Sequence, residues 1–315
     1  MTGPLFASDA VTPPLPPGHR FPMAKYRRLR EHLVAAGVVP AEAIVQAEPV
    51  PWATLALVHT PAYLERVRTG ALTPQEERRL GLPWSPQLVE RSRRSVGATL
   101  AASRQALRMG AGIALAGGTH HAYPDRGEGF CVFNDVAVAL RALQADGMVR
   151  RALVLDLDVH QGNGTAAIFA TDPTVFTFSI HGAKNFPFRK ERSDLDVPLP
   201  DGADDDMVLA ALETYVPDLL AELRPDLVVV LAGSDPFWDD RFGRLAMTAA
   251  GLAERDRRVY AWRRAVGVPV VTTMAGGYAR RLEDTVALHT ATVCLALGRE
   301  PPLYSPEAAS PCASS

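Results

Sequence analysis

The sequence contains few cysteines and no long apolar run. Cys131, Cys294 and Cys312 are too few and too scattered among 315 residues for a disulfide framework, which indicates a reducing compartment. No segment approaches the ~18 consecutive apolar residues that span a bilayer. The first residues have neither the basic stretch nor the apolar segment of a signal peptide. We therefore predict a cytoplasmic protein with no membrane partner.

An excess of charge of one sign is also absent. The formal net charge is -2 and the sequence pI is about 6.5, which gives no electrostatic footprint for nucleic acid. The sequence therefore predicts no direct nucleic-acid partner. Lysine is scarce as well: only Lys25, Lys184 and Lys190 occur, and the remaining positive charge is arginine. Together with abundant alanine and proline, this composition indicates a GC-rich bacterial source.

The length and the hydrophobic content of the chain favour a single domain over residues 1–315. A hydrophobic fraction of 47% is ample for one large core, and no linker-like stretch divides the middle of the sequence. We expect the core to run from about residue 19 to 297. Residues 1–18 are a proline-rich N-terminal segment, and residues 300–315 have the composition of a disordered tail. The sequence does not indicate an oligomeric state.

Several apolar runs end in glycine together with a polar or ionisable residue. This pattern is typical of open α/β sheets, which bind ligands at the carboxyl ends of their strands. Helical patterns lie between the runs, so we predict an α/β fold with a mostly parallel sheet and helices on both faces. The predicted strands cover residues 113–116, 152–157, 175–180, 227–231 and 268–274. The predicted helices cover residues 25–36, 61–69, 85–109, 136–144, 165–169, 207–223 and 245–266.

The stretch after the second of these runs carries two carboxylates and an imidazole at spacings of two. On an extended chain, Asp156, Asp158 and His160 project from one side. Borderline divalent ions take aspartate oxygen and histidine nitrogen together, so the stretch predicts a metal site.

Five motifs in a fixed order resemble the zinc-dependent histone deacetylase family, which includes bacterial acetoin-utilisation proteins and deacetylase-like amidohydrolases. The resemblance covers about residues 19–297 and implies an arginase/deacetylase-like three-layer αβα fold. It also implies hydrolysis of the amide of an acylated lysine in a protein, or of a small acylated amine. The motifs are Gly117-Gly118-Thr119-His120-His121-Ala122, Gly129-Phe130-Cys131-Val132-Phe133-Asn134-Asp135, Asp156-Leu157-Asp158-Val159-His160-Gln161-Gly162-Asn163-Gly164, Asp235 and Gly276-Gly277-Tyr278.

The same resemblance implies one zinc ion per chain, held by Asp158, His160 and Asp235. Such an ion polarises the amide and acidifies water. Members of the family also bind a structural potassium ion. The side chains and positions implied for potassium here are Asp156, Ser179 and Ile180, together with backbone oxygens of Asp158 and His160.

The resemblance further assigns roles in the chemistry. His121 is expected to act as general base and then as general acid, while His120 supplies electrostatic support and Tyr278 donates to the oxyanion. Asp156 occupies the position of the carboxylate that orients His120. Asn163 stands where many relatives have a second aspartate, and a neutral amide stabilises an imidazolium less than a carboxylate does. We therefore predict that His121 is the less basic histidine.

The family's narrow acyl-lysine tunnel has an aromatic wall at the position of Phe130, preceded by Gly129. The sequence leaves open whether Phe186 or Phe188 forms the opposite wall. In the Gly276-Gly277 pair, the missing side chains let the backbone approach the site closely.

Three other functions compete with this interpretation. Acetylpolyamine hydrolases of the family tend to carry an acidic residue at the position of Phe242, seven residues after Asp235, and Asp239 and Asp240 lie nearby. An arginase-type enzyme would need further ligands for a second manganese ion. A non-catalytic module that binds acyl-lysine usually lacks part of the histidine pair, the tyrosine or the ligand set, all of which are present here.

Overall fold

A single parallel sheet organises the chain in the computed structural model, which describes residues 3–304. Within these residues the sheet has eight strands in the order β2-β1-β3-β8-β7-β4-β5-β6, and every neighbouring pair is parallel. The strands are β1 (Leu5–Ala7), β2 (Ile44–Gln46), β3 (Ala111–Ala114), β4 (Ala152–Asp156), β5 (Val175–Gly182), β6 (Leu195–Leu199), β7 (Leu227–Leu231) and β8 (Val270–Thr273).

Helices cover both faces of the sheet, as the alternation of strand and helix patterns predicts. They are α1 (Lys25–Ala35), α2 (Trp52–Leu55), α3 (Pro61–Thr69), α4 (Pro74–Leu80), α5 (Pro86–Met109), α6 (Asp135–Ala145), α7 (Asn163–Phe169), α8 (Asp205–Leu223), α9 (Ala249–Val266) and α10 (Leu282–Ala296). None of the helices in the described part of the chain has the length and apolarity needed to cross a membrane.

The core consists of two apolar layers, one on each face of the sheet. Leu153 and Leu155 of β4 pack into one layer, and Val154 between them packs into the other. Side chains alternate in this way along any strand, and both faces of β4 are apolar because both are covered by helices. The predicted three-layer α/β fold is therefore confirmed.

Three strands and three helices were not predicted from the sequence. β1, β2 and β6 lie at or near the sheet edges, where β1 and β2 have only three residues each. β1 contains residues 5–7, so the sheet extends into the proline-rich N-terminal segment. α10 was missed because it is buried along most of its length and shows no polar stripe, and α2 and α4 are short.

The C-terminal segment that the sequence predicts as disordered falls mostly on residues 305–315, which lie outside the described residues. Just before them, Tyr304 donates a hydrogen bond from its hydroxyl to Asp284 Oδ1 at 2.9 Å. The chain is therefore fixed to α10 up to this point.

Candidate active site

Four neighbouring strands end at the same edge of the sheet and carry the polar motifs there. In sheet order these strands are β3, β8, β7 and β4. The loops after them contain the histidine pair, Tyr278, Asp235 and the Asp158 to His160 stretch, respectively. Residues separated by more than a hundred positions in sequence are thereby brought together.

The side chains of Asp158, His160 and Asp235 form a compact buried cluster. Each offers one ligand atom, and the three atoms lie within 4.8 Å of one another. His160 Nδ1 lies 2.9 Å from Asp158 Oδ1 and 3.2 Å from Asp235 Oδ2. The predicted ligand set is therefore assembled as a metal site requires.

Hydrogen bonds to the backbone, and not the alternation of side chains along a strand, orient the side chains of this cluster. β4 ends at Asp156, so Asp158 and His160 lie in the loop beyond it. Asp158 Oδ1 accepts from the backbone N–H of His160 at 2.9 Å, and Asp156 Oδ1 accepts from that of Asp158 at 3.2 Å. The expectation of an extended strand through residue 160 is thus wrong, because side-chain to backbone bonds turn the chain here.

The outer oxygens of the two aspartates are fixed by neighbouring loops. Asp158 Oδ2 accepts from the N–H of Gly276 at 2.7 Å, and Asp235 Oδ1 accepts from the N–H of Val159 at 3.0 Å. A side chain on Gly276 would overlap the carboxylates of Asp158 and Asp235. Glycine is therefore required at this position for the loop to approach the cluster.

One oxygen in the cluster lacks a hydrogen-bond partner, and its electrostatics favour a cation. Asp235 Oδ2 is fully buried and, within residues 3–304, forms no well-aligned hydrogen bond, although His160 Nδ1 lies 3.2 Å away. Burial and the neighbouring Asp158 carboxylate raise the pKa of Asp235 to about 7. A divalent cation would satisfy this oxygen and offset the repulsion between the carboxylates. The residues therefore fit a metal ion.

Each imidazole of the histidine pair is oriented by one side chain. His120 Nδ1 lies 2.6 Å from Asp156 Oδ2, and His121 Nδ1 lies 2.6 Å from Asn163 Oδ1. The two rings are 4.1 Å apart between centroids, and both are buried. The His120–Asp156 and His121–Asn163 pairs expected from the sequence therefore both form.

The two histidines differ in basicity in the predicted direction. Burial lowers the pKa of His120, but the charges of Asp156 and Asp158 outweigh it and raise the pKa to about 9. Burial and the charge of His120 hold the pKa of His121 well below its usual value. The hydrogen bond to Asn163 opposes this shift without reversing it. A cation in the cluster would lower both values, because like charges repel.

Tyr278 faces the cluster from the loop after β8. Its ring centroid lies 6.5 Å from that of His160. Burial and the charges of Asp158 and Asp235 raise the pKa of Tyr278 well above 10, so the phenol keeps its proton. The hydroxyl can therefore act as a hydrogen-bond donor in this site.

Aromatic rings surround the approach to the cluster. The Phe186 ring lies 4.9 Å from that of His121, whereas Phe188 is 86% exposed. Phe130 lies 6.1 Å from Tyr278, and Phe242 lies 5.0 Å from it. Of the two alternatives left open by the sequence, Phe186 therefore faces the site and Phe188 lies outside it.

The sequence model of the Histone deacetylase domain matches residues 19–293. The chain belongs to the histone deacetylase family.

Relatives in this histone deacetylase family span most of the chain. An uncharacterised protein of Picosynechococcus sp. is 48% identical over 286 residues, covering 91% of this chain and 95% of that protein. The histone deacetylase-like amidohydrolase of Pseudomonas aeruginosa is 33% identical over 285 residues, covering 85% and 74% of the two chains. A crystal structure of an HDAC homolog complexed with SAHA superposes with a TM-score of 0.81 at 23% identity, covering 96% of this chain and 86% of that one.

The residues suggested for a potassium site lie beside the metal cluster in this histone deacetylase family member. Asp156 pairs in register with Ser179 across β4 and β5, and Ile180 follows it. Ser179 Oγ lies 3.0 Å from His181 Nδ1, and burial lowers the pKa of His181 to about 4. The potassium ion stays a prediction.

Sequence reasoning missed a carboxylate that holds the histidine loop of this deacetylase-family site. Asp135, at the start of α6, accepts from the backbone N–H groups of Gly118 and Thr119 at 3.0 and 2.6 Å. Its Oδ2 also accepts from the Thr99 hydroxyl at 2.5 Å. From sequence alone, an aspartate at the start of a helix is interpreted as a helix cap. Its contact with the histidine loop is visible only in the folded structure.

Asp240 was considered only as a substrate contact, yet it holds the backbone of the Tyr278 loop. Its Oδ2 accepts from the N–H of Tyr278 at 2.6 Å, and its Oδ1 accepts from those of Phe242 and Gly243 at 2.8 and 2.9 Å. Both carboxylate oxygens are therefore acceptors, and this buried residue positions two sides of the aromatic approach.

An asparagine at position 240 would direct an NH₂ group at one of these N–H donors. We expect Asp240→Asn to lower kcat by about tenfold with KM nearly unchanged, since an unpaired buried donor costs ~1–3 kcal/mol. Steady-state kinetics on an acyl-lysine peptide measure this effect. In a Tyr278→Phe background, the same substitution should lower kcat little further. An equal loss in both backgrounds would show that Asp240 does not act through Tyr278.

Proposed function

We propose that this protein is a zinc-dependent deacylase that hydrolyses the amide of N-acyl-lysine in proteins, or of a small lysine-like acylated amine. The observation that carries the proposal is the joint placement of Asp158, His160 and Asp235 beside the His120-His121 pair and Tyr278. The low cysteine content supports a cytoplasmic site of action.

The ligand set supports zinc as the ion. Two carboxylates and one imidazole are donors that zinc accepts, and three protein ligands leave a position for substrate or water, as in catalytic zinc sites. Bound zinc supplies Lewis acidity towards the amide carbonyl and acidifies water. Asp158, His160 and Asp235 would hold it.

His121 is the residue placed to accept a proton. The Oδ1 atom of Asn163 can only accept, so His121 must carry its hydrogen on Nδ1 and expose the lone pair of Nε2. The Asn163 amide is fixed in this sense because its Nδ2 donates to the Tyr123 hydroxyl at 3.1 Å. This tautomer supports a role for His121 as the general base, which later returns the proton to the leaving amine.

His120 has a different role. Its Nδ1 donates to the buried Asp156 carboxylate, which favours the imidazolium. A histidine that already carries both protons is a poor base, so His120 provides positive charge and a hydrogen bond. The Tyr278 hydroxyl donates to the oxygen on which negative charge develops.

The acetylpolyamine alternative is less well supported. Phe242 is apolar, and both nearby acids are engaged: Asp240 accepts three backbone hydrogen bonds, and Asp239 pairs with Arg280 at 3.1 Å. Neither carboxylate is free to receive a second ammonium group. For the arginase alternative, a second metal-binding group of His, Cys, Asp or Glu is absent from residues 3–304.

A comparison of two substrates tests the proposal. With zinc-loaded protein, we expect kcat/KM for an acetyl-lysine peptide to exceed that for N-acetylputrescine by about tenfold or more, because the site lacks a partner for the second ammonium. Acetate release measures both reactions. Faster cleavage of N-acetylputrescine would favour the polyamine alternative. Binding of the peptide without any cleavage would indicate a non-catalytic module.

A further inference from the structure

The cavity that contains the metal cluster continues to a part of the protein that the proposed chemistry does not use. Asp158, His160 and Tyr278 line it, and so do Arg91 and Ser95 of α5. Its volume is about 40 Å³, room for about three water molecules at ~10–15 Å³ each. Since α5 packs against β3 and β8, this part lies on the buried side of the site.

Two polar groups in this part of the cavity have no partner. The Arg91 side chain is buried, with the residue 7% exposed, and its Nη2 makes no hydrogen bond. The hydroxyl of Ser95 is also buried without a partner. The two residues lie four positions apart on α5, so they share one face of the helix. Both groups can donate hydrogen bonds into the cavity.

The positive charge of Arg91 is not neutralised locally. Among the residues that the structure describes, no carboxylate lies within ion-pair distance of its guanidinium. Its stabilising neighbour is the Tyr26 ring, 4.1 Å from the guanidinium carbon. Lys25 Nζ lies 5.2 Å from the same ring, and within the described part of the chain this buried residue hydrogen-bonds only to the carbonyls of Ala275 and Gly277, at 3.3 Å.

A buried arginine without a carboxylate partner is costly for a fold to keep. A planar guanidinium that stacks on an aromatic ring keeps its N–H edge free, and that edge matches the geometry of a carboxylate. The Ser95 hydroxyl supplies a further donor. An anionic group that enters from the metal side of the cavity would pair with this guanidinium.

We propose that Arg91 and Ser95 form a subsite for the distal carboxylate of a short dicarboxylic acyl group, such as malonyl or succinyl, on the substrate amine. This inference rests on the proposed deacylase function and names its acyl class. The small volume suits a short chain, and the positive charge of Arg91 and Lys25 disfavours a neutral chain of equal length.

Peptides with acetyl-, butyryl-, malonyl- and succinyl-lysine test this subsite on the zinc-loaded protein. The wild type should hydrolyse a malonyl or succinyl peptide with a higher kcat/KM than the butyryl peptide. Arg91→Met should reduce kcat/KM for the preferred dicarboxylic peptide about tenfold or more, since a charged hydrogen bond is lost, and should raise kcat/KM for the butyryl peptide, since the charge that disfavours a neutral chain is removed. Arg91→Lys should retain part of the preference.

Two further variants control the experiment. Arg108→Met removes an exposed arginine from the same helix and should leave every rate unchanged. Ser95→Ala is a small change that preserves the fold if Arg91→Met does not, and we expect it to lower hydrolysis of the dicarboxylic peptide about threefold or more while sparing the butyryl peptide.

Each contrary outcome has a definite meaning. Hydrolysis of acetyl or butyryl peptides without hydrolysis of malonyl or succinyl peptides would overturn the subsite and leave the proposed function intact. Equal losses on neutral and dicarboxylic peptides in both Arg91→Met and Ser95→Ala would also overturn it. A third outcome would overturn the subsite as well: free acetate inhibits Arg91→Met more weakly than the wild type, while the acyl preference is unchanged. Arg91 would then bind the released acetate instead of a dicarboxylic acyl group. Failure to cleave any peptide would contradict the proposed function itself.

Discussion

Asp235→Asn is expected to abolish measurable deacylation and the response of the protein to zinc. The substitution removes a charged ligand from the buried cluster, and loss of the metal forfeits several kcal/mol of transition-state stabilisation, or about a thousandfold or more in kcat/KM. In the wild type, zinc should raise the melting temperature, because the ion binds only the folded chain. The variant should bind less than one zinc per chain and lose this rise.

The charge balance of the cluster makes this test specific. Without an ion, Asp235 lies buried beside the Asp158 carboxylate and its pKa is raised to about 7. An amide at this position relieves the repulsion, so we expect the metal-free variant to be at least as stable as the metal-free wild type. Asp239→Asn, four residues along the same loop, is the matched control and should keep both zinc and activity. Full activity in Asp235→Asn would refute the ligand assignment.

Tyr278→Phe is expected to lower kcat by about a hundredfold to a thousandfold, in the range found for removal of one oxyanion donor. KM and zinc content should change little, because among the described residues the hydroxyl donates no hydrogen bond to any of the three proposed ligands, and the ring still packs against Phe242 and Phe130. Steady-state kinetics and metal analysis of the purified variant measure these quantities.

The control for this variant is Tyr215→Phe, which removes a hydroxyl from a residue that is 37% exposed on α8. It should leave the kinetics unchanged. If Tyr278→Phe retains wild-type kcat, the phenol does not act on the reacting amide, and the assignment of the oxyanion donor is wrong.

The centre of the fold could be predicted from the sequence because its strands are strongly apolar. β4 and β7 are buried on both faces, and they contain uninterrupted valine and leucine over residues 153–155 and 227–231. β1 could not be predicted in the same way. Three residues carry too little pattern, and β1 is held only by its neighbours β2 and β3.

The candidate site was predictable where one motif carries the chemistry on its own side chains. The expected side chains lie close together, namely those of His120, His121, Asp158, His160, Asp235 and Tyr278. The supporting contacts were not predictable, because they join a side chain to a distant backbone group. Neither the Asp240 bond to the Tyr278 N–H nor the Asp135 bond to the N–H of Gly118 leaves a signal in local sequence. The buried Nη2 of Arg91, which has no hydrogen-bond partner among the described residues, is likewise visible only in the three-dimensional structure.

The place of β8 in the sheet joins the two halves of the candidate site. β8 is the last strand in sequence order among the described residues, yet it lies between β3 and β7 in the sheet. Until it is added, the strands fall into two separate groups, with the histidine pair on one and Asp158, His160 and Asp235 on the other. A chain that lacks residues beyond 269 therefore contains the proposed ligands but not the strand that joins them to the histidine pair.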